Sequence, residues 1–301
     1  MSTPLLNASG CLDALTAPEI ARDLDAFVTK TVTPSPREGN PPPRFVELPG
    51  GMLNSIGLQN PGIDAFLADS LPRLAALDIP IWVSVGGFSA ADYRSLCGRL
   101  DDQDDVAVIE LNLSCPNVEE APETAAELVA AARAATGKPL YAKLSPATWD
   151  VAESARAAAA AGADGLSLVN TIRGLAFAAD RCGPVLGRGA GGYSGPALRP
   201  IALACVFACA SAVDLPIVGM GGVSSGADVL DLLAAGATQV ALGTVLFADP
   251  WAARRIRSEL RESEAEGPEN RSVARDSVRS VSMSANQTTA KSLQIGQNSS
   301  A

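Results

Sequence analysis

Glu110-Leu111-Asn112-Leu113-Ser114-Cys115-Pro116-Asn117 follows an apolar run through Val106, Val108 and Ile109 and breaks into a loop at Cys115-Pro116. The run reads as a buried strand and the Cys-Pro break as its end. A thiol and two amides, Asn112 and Asn117, therefore stand at the C-terminal end of a strand. In a β/α barrel that is the end whose loops carry the chemistry. Cys115 is a candidate nucleophile or proton acceptor there, although a cysteine met at random is more often a small packing residue.

Outward from this stretch the chain alternates regularly. Strands are expected at 4–6, 26–31, 81–85, 106–111, 140–144, 165–169, 217–219 and 240–242. Helices are expected at 18–25, 63–77, 90–100, 123–135, 151–161, 201–213 and 227–235. Strands separated by helices imply a parallel sheet, and eight such units imply a closed (β/α)8 TIM barrel of the α/β class. Ala161-Gly162-Ala163 and Ala235-Gly236-Ala237 echo one another, each a helix-ending glycine feeding a strand. A doubly wound open sheet would want a glycine-rich turn after its first strand, and Asn7-Ala8-Ser9-Gly10 is not one. Residues 32–57, rich in proline, and 170–196 read as irregular loops, the first too long to be a mere connection. From 264 to 301 the chain turns to Ser, Arg, Asn, Gln and Glu, which reads as a disordered tail behind a barrel domain at 1–263.

Composition narrows the chemistry. Among 301 residues there is no histidine, which excludes Ser-His-Asp and Cys-His catalysis and imidazole-ligated zinc. A general base is then Cys, Lys, Tyr or a carboxylate. A net charge of −10 removes the main driving force for nucleic acid or an anionic membrane. The six cysteines form no CxxC, so no metal site is expected and a reduced, cytoplasmic setting is the simplest reading. Cys205 and Cys209, four apart on an apolar helix, read as packing. Residues 1–10 lack the basic start and apolar core of a signal peptide, and the longest apolar run, 201–213, is too short to span a bilayer.

The expected strand ends gather Ser9, Lys30, Thr31, Asn112, Cys115, Lys143, Asn170, Thr171, Gly221, Gly222, Gly243 and Thr244. Gly-Gly after the seventh strand and Gly-Thr after the eighth match the phosphate site of such barrels, where bare backbone N–H groups receive the anion. Two lysines at a narrowing mouth are costly unless an anion or an electron-rich ring faces them. Asn54, Asn112, Asn117 and Asn170 offer both donors and acceptors, which suits a planar ligand edged with C=O and N–H groups.

The assembled motifs resemble those of the class 1 dihydroorotate dehydrogenases, FMN-containing β/α barrels. They are Asn7-Ala8-Ser9-Gly10, Thr29-Lys30-Thr31-Val32-Thr33, Glu38-Gly39-Asn40-Pro41-Pro42-Pro43-Arg44, and Gly51-Met52-Leu53-Asn54-Ser55-Ile56-Gly57-Leu58-Gln59-Asn60. The core motif above, Lys143-Leu144-Ser145-Pro146, Gly192-Tyr193-Ser194-Gly195-Pro196 and Gly219-Met220-Gly221-Gly222 complete the set. The long loop is most similar to the 1B group, which pairs with an iron–sulfur, FAD-containing subunit and passes electrons to NAD. The resemblance implies oxidation of dihydroorotate to orotate in pyrimidine biosynthesis. Cys115 would take the C5 proton while hydride leaves C6 for N5 of FMN. The membrane-associated class 2 enzymes have serine at that position.

The resemblance also implies a substrate site of Lys30, Asn54, Ser55, Ile56, Gly57, Leu58, Asn112, Asn117, Asn170 and Thr171. It implies an FMN site of Ser9, Lys30, Thr31, Asn112, Lys143, Val169, Gly195, Gly221, Gly222, Gly243 and Thr244. Lys143 would face the electron-rich edge of the flavin. A homodimer is expected, with the electron-transfer subunit as a further partner. The chain departs from the family pattern in a short N-terminus, in a short loop after Asn117, and in lacking a recognisable closing helix within 264–301. Other readings are a different FMN barrel that acts on pyrimidines, or a non-catalytic FMN-binding paralogue.

Overall fold

The computed structural model describes residues 3–113 and 124–265. Cys115 and Asn117 lie outside the described residues, as does the expected tail from 266 onward. The chain divides into two units, Met1–Ile256 and Arg257–Ala301. The first holds the whole sheet architecture. The described part of the second, 257–265, is helical.

Twelve strands run among the described residues: β1 (Leu5–Asn7), β2 (Phe27–Val28), β3 (Phe45–Leu48), β4 (Gly51–Asn54), β5 (Ile81–Val85), β6 (Val106–Asn112), β7 (Leu140–Leu144), β8 (Gly165–Leu168), β9 (Ile172–Gly174), β10 (Gly191–Ser194), β11 (Ile217–Met220) and β12 (Gln239–Leu242). Eight of them form one sheet in the order β1-β12-β11-β8-β7-β6-β5-β2, and every pairing is parallel. A parallel bridge from Leu6 to Ala26 joins the two ends, so the sheet closes on itself as the expected barrel. These strands are short and buried on both faces, because helices cover the outside and side chains fill the inside.

The barrel interior is stratified. Near the N-terminal ends of the strands, Leu6, Val28, Trp82, Val108, Tyr141, Val218 and Ala241 pack into an apolar plug. Trp82 and Tyr141 meet with ring centroids 4.6 Å apart and planes tilted by 55°. Such a pair adds about 0.5–1.5 kcal/mol beyond the area it buries. Two residues further along β5, β6 and β7 the inward positions turn polar, at Ser84, Glu110 and Lys143, and Ser167 on β8 pairs with Lys143; all four are buried. The period of two along a strand makes that change abrupt.

Helix starts are set by local side chains. Ser89 caps Ala90–Asp101 and Asp150 caps Val151–Ala160, each accepting from the backbone N–H three residues on. Ser225 and Asp228 form a reciprocal capping box that begins Gly226–Ala234 immediately after the glycine turn at the end of β11. The expected continuous helix at 63–77 is divided into Gly62–Ala65, a π-helical segment Phe66–Ser70, and Leu71–Ala75. Pro72 has no N–H to give the carbonyl four residues back, so the ladder shifts by one there.

Two expectations are corrected. Residues 32–57 and 170–196 are not irregular throughout: β3, β4, β10 and β9 form a four-stranded antiparallel sheet in that order. A fourteen-residue helix, Ala252–Ala265, also follows the last barrel strand, where no helix was assigned. No helix among the described residues is long and apolar enough to cross a membrane.

Candidate functional site

The antiparallel sheet stands over the C-terminal end of the barrel, and between them lies a cavity of about 1320 Å³. Phe45, Asn54, Gly192 and Arg173 are successive partners across β3, β4, β10 and β9. Partners in a pleated sheet share a face, and on that face Asn54 and Arg173 line the cavity. Every described residue expected to contact substrate or cofactor lines this cavity: Lys30, Asn54, Ser55, Ile56, Gly57, Leu58, Asn112, Asn170 and Thr171, with Ser9, Thr31, Lys143, Val169, Gly195, Gly221, Gly222, Gly243 and Thr244.

A hydrogen-bonded chain crosses the barrel mouth. Asn170 Nδ2 donates to Asn112 Oδ1 at 3.2 Å, and Asn112 Nδ2 donates to Thr31 Oγ1 at 3.3 Å. Thr31 meets Ser84 at 3.1 Å and Ser9 at 3.3 Å, while Ser9 Oγ donates to Thr29 O at 2.8 Å. Tyr93 holds β6 at its end by donating to Asn112 O at 2.7 Å. Asn112 both accepts from Asn170 and donates to Thr31, and Asn170 Oδ1 accepts from Thr171 N at 2.8 Å, so the amides fix one another's orientation at the mouth. Asn54 is oriented from above, its Nδ2 donating to Gly192 O at 3.2 Å. Asn40 shapes the adjoining segment by donating to Ser55 Oγ at 2.7 Å and, from its backbone, to Ile56 O at 2.9 Å.

The opposite side of the cavity is backbone-rich. Gly221 and Gly222 follow β11 with φ of +126° and +78°, and Gly195 has φ of +109°. Gly243-Thr244 follows β12, and Thr244 Oγ1 donates to Ser194 Oγ at 2.8 Å. A Cβ on Gly222 would lie 2.9 Å from both Arg199 N and Gly195 O, so this turn closes only with glycine. Turns of this kind turn N–H groups toward an anion.

Charge is concentrated on the cavity. Its described lining carries four cations, Lys30, Lys143, Arg173 and Arg188, against one carboxylate, Glu47, in a chain of net charge −10. Arg188 lies on the wall that residues 41–43 flank: the neighbouring Gly187 abuts the Pro41 and Pro42 carbonyls, and its backbone N–H donates to Pro43 O at 2.9 Å. Beneath Lys143, Glu110 Oε1 sits 3.5 Å from the ammonium, the carboxylate 1% and the ammonium side chain 7% exposed.

Sequence reading missed Arg173, Arg188, Glu110 and Cys11. Both arginines fell in a stretch read as loop, where a lone cation is unremarkable. Glu110 was visible as an alternate strand position between Val108 and Asn112, which places its side chain inside the barrel. Cys11 lines the cavity, and burial pushes its thiol up against the lowering pull of Lys143 and Lys30. Of the two thiols read as packing, burial raises Cys205 and pushes Cys209 up to about 12; Cys97 is likewise pushed up to about 12 by burial, far from thiolate chemistry at neutral pH. No metal-binding cluster of His, Cys, Asp or Glu occurs among the described residues.

Comparison with known proteins agrees with this geometry. The family model described as dihydroorotate dehydrogenase matches residues 1–263. A "Dihydroorotate dehydrogenase B (NAD(+)), catalytic subunit" of Desulforudis audaxviator is 43% identical over 87% of this chain and 89% of its own length. The proteins of the same name from Trichlorobacter lovleyi and Pelobacter propionicus are 44% and 48% identical, over 88% and 77% of this chain and 91% and 79% of their own lengths. Among solved structures, DHODH from Eimeria tenella in complex with ferulenol superposes with a TM-score of 0.71 at 23% identity, covering 85% of this chain and 80% of that one, which is a likeness of fold.

Proposed function

We propose that this chain, which belongs to the dihydroorotate dehydrogenase family, is the catalytic subunit of a class 1B enzyme that oxidises dihydroorotate to orotate with FMN in the cytoplasm. The observation that carries the reading is one cavity at the C-terminal end of the barrel. It sets an amide-and-lysine wall against a glycine-lined wall and is positively charged within an acidic chain.

The residues present fit a flavin mononucleotide. The turns at Gly221-Gly222 and Gly243-Thr244 suit its phosphate, since Gly221 and Gly222 leave no room for side chains and both turns offer backbone N–H groups. The cavity, about 1320 Å³, has room for the flavin and a planar substrate together. Ser9, Thr31, Val169, Gly195 and Lys143 would hold the ring system. When bound, FMN supplies the hydride acceptor.

The chain's own groups do the rest. Lys30 and the amides of Asn54, Asn112, Asn117 and Asn170 orient the substrate ring and carboxylate, with Ser55, Ile56, Gly57, Leu58 and Thr171 around them. Cys115 takes the proton from C5 as hydride leaves C6. The roof of β3, β4, β10 and β9 excludes water, which strengthens each polar contact beneath it. Electrons leave through an iron–sulfur, FAD-containing partner subunit, a reading supported by the relatives' name, the catalytic subunit of an NAD(+) enzyme; the catalytic subunit itself pairs as a homodimer.

Loaded with FMN and given dihydroorotate and an artificial electron acceptor, the protein is expected to form orotate, read by its ultraviolet absorbance. A flavin-loaded protein that forms none would overturn the reading. The cationic lip gives a second expectation. Dihydroorotate is an anion, so Arg188→Gln is expected to raise KM about threefold with kcat little changed, and to flatten the dependence of kcat/KM on ionic strength. An unchanged salt dependence would remove Arg188 from substrate capture.

A further inference from the structure

Among the described residues Glu110 is the most buried carboxylate, yet it does not line the cavity. It projects from β6 between Val108 and Asn112, level with Ser84 on β5 and Tyr141 on β7. Lys143, on the next strand, pairs with Asn112 and Ser167 in register, so its side chain starts one step nearer the mouth. Glu110 Oε1 lies 3.5 Å from Lys143 Nζ and makes no hydrogen bond to the described residues; Ser167 Oγ is likewise buried without one among them. A carboxylate with one unbonded oxygen, placed in a barrel core with one cation, is costly to keep. Packing alone would favour an apolar residue there, as at Val108 one layer below.

We propose that Glu110 is a positioning residue acting through Lys143. It is the counter-ion to the buried Lys143 ammonium, and it draws that ammonium to the cavity floor. This rests on the functional reading above, in which Lys143 faces the flavin edge that gains negative charge on reduction. A charged Lys143 stabilises that charge. Without the carboxylate 3.5 Å away the ammonium loses that anchor in a dry place and swings off the floor, and the stabilisation goes with it.

The test is the flavin midpoint potential of the FMN-loaded protein, measured for the native chain, Glu110→Gln, Lys143→Gln and the double variant. Glu110→Gln is expected to lower the potential, in the same direction as Lys143→Gln, and to weaken binding of reduced FMN about tenfold while changing oxidised FMN affinity little. In the Lys143→Gln background the Glu110→Gln substitution is expected to add nothing, since the two act as one unit. A potential that rises in Glu110→Gln would mean that the carboxylate acts on the flavin directly as a negative charge, and overturns the proposal. So does an unchanged potential, or an effect that persists without Lys143. If Glu110→Gln does not accumulate folded, Glu110→Asp keeps the charge on a shorter arm. A potential between those of the native chain and Lys143→Gln supports the proposal, and an unchanged one overturns it. A native protein that shows no flavin absorbance after reconstitution overturns the functional reading and this inference together. A native flavoprotein insensitive to Glu110→Gln overturns the inference alone.

Discussion

Cys115→Ser protein is expected to bind FMN as the native chain does and to be reduced by dihydroorotate more slowly by about 10²–10⁴-fold, the range typical of a lost general base. A serine hydroxyl is a far weaker proton acceptor near neutrality than a thiolate. The native reduction rate is also expected to depend on pH with a definite sign. A free thiol titrates near 8.5, and only its deprotonated form can take the C5 proton, so the rate rises with pH until the thiolate fraction saturates. In Cys115→Ser that rise disappears. Anaerobic stopped-flow absorbance of the flavin checks both expectations, and unchanged kinetics in the serine variant would take the thiol out of the mechanism.

The second large effect falls on the opposite wall. Gly222→Ala places a methyl 2.9 Å from Arg199 N and Gly195 O at a residue whose φ is +78°. Neither contact is with a flexible side-chain end, so the backbone must move. Strain of this kind costs on the order of 1–3 kcal/mol, and in the turn assigned to the phosphate it is expected to weaken FMN binding by about 10–100-fold. Fluorescence titration with FMN reads the change, with circular dichroism as the check that the barrel is still folded. Native-like affinity in Gly222→Ala would move the phosphate elsewhere.

The barrel was legible because its strands are buried on both faces and so appear as short continuous apolar runs: Ile81–Val85 and Leu140–Leu144 have the bounds that their runs suggest. The roof was not, for a physical reason. β10 opens with Gly191-Gly192, residues that weaken a strand in isolation. They are required here because a Cβ at either position would overlap the Asn54 backbone or the Thr171 side chain. β3 follows three prolines and exposes Phe45, so neither alternation nor propensity announces it. Its pairing with β4 depends on the Pro49-Gly50 turn and on docking over the mouth, which are tertiary facts.

The cavity residues were legible for a different reason. Glycines, lysines and asparagines at strand ends are chemically unusual together, whereas Arg173 and Arg188 differ from ordinary surface arginines only in where β9 and the turn before β10 deliver them. Glu110 lies between these cases. Its position inside the barrel follows from the period of two along β6, but its pairing with Lys143 needs the register of β6 against β7.

The central claim is that one cavity holds both the flavin and dihydroorotate, and it is tested most directly by anaerobic absorbance. The protein reconstituted with FMN is titrated with dihydroorotate without any electron acceptor. Stoichiometric bleaching of the flavin band, with orotate appearing in equal amount, is the predicted result. A flavin band that stays while dihydroorotate is added in excess would contradict it.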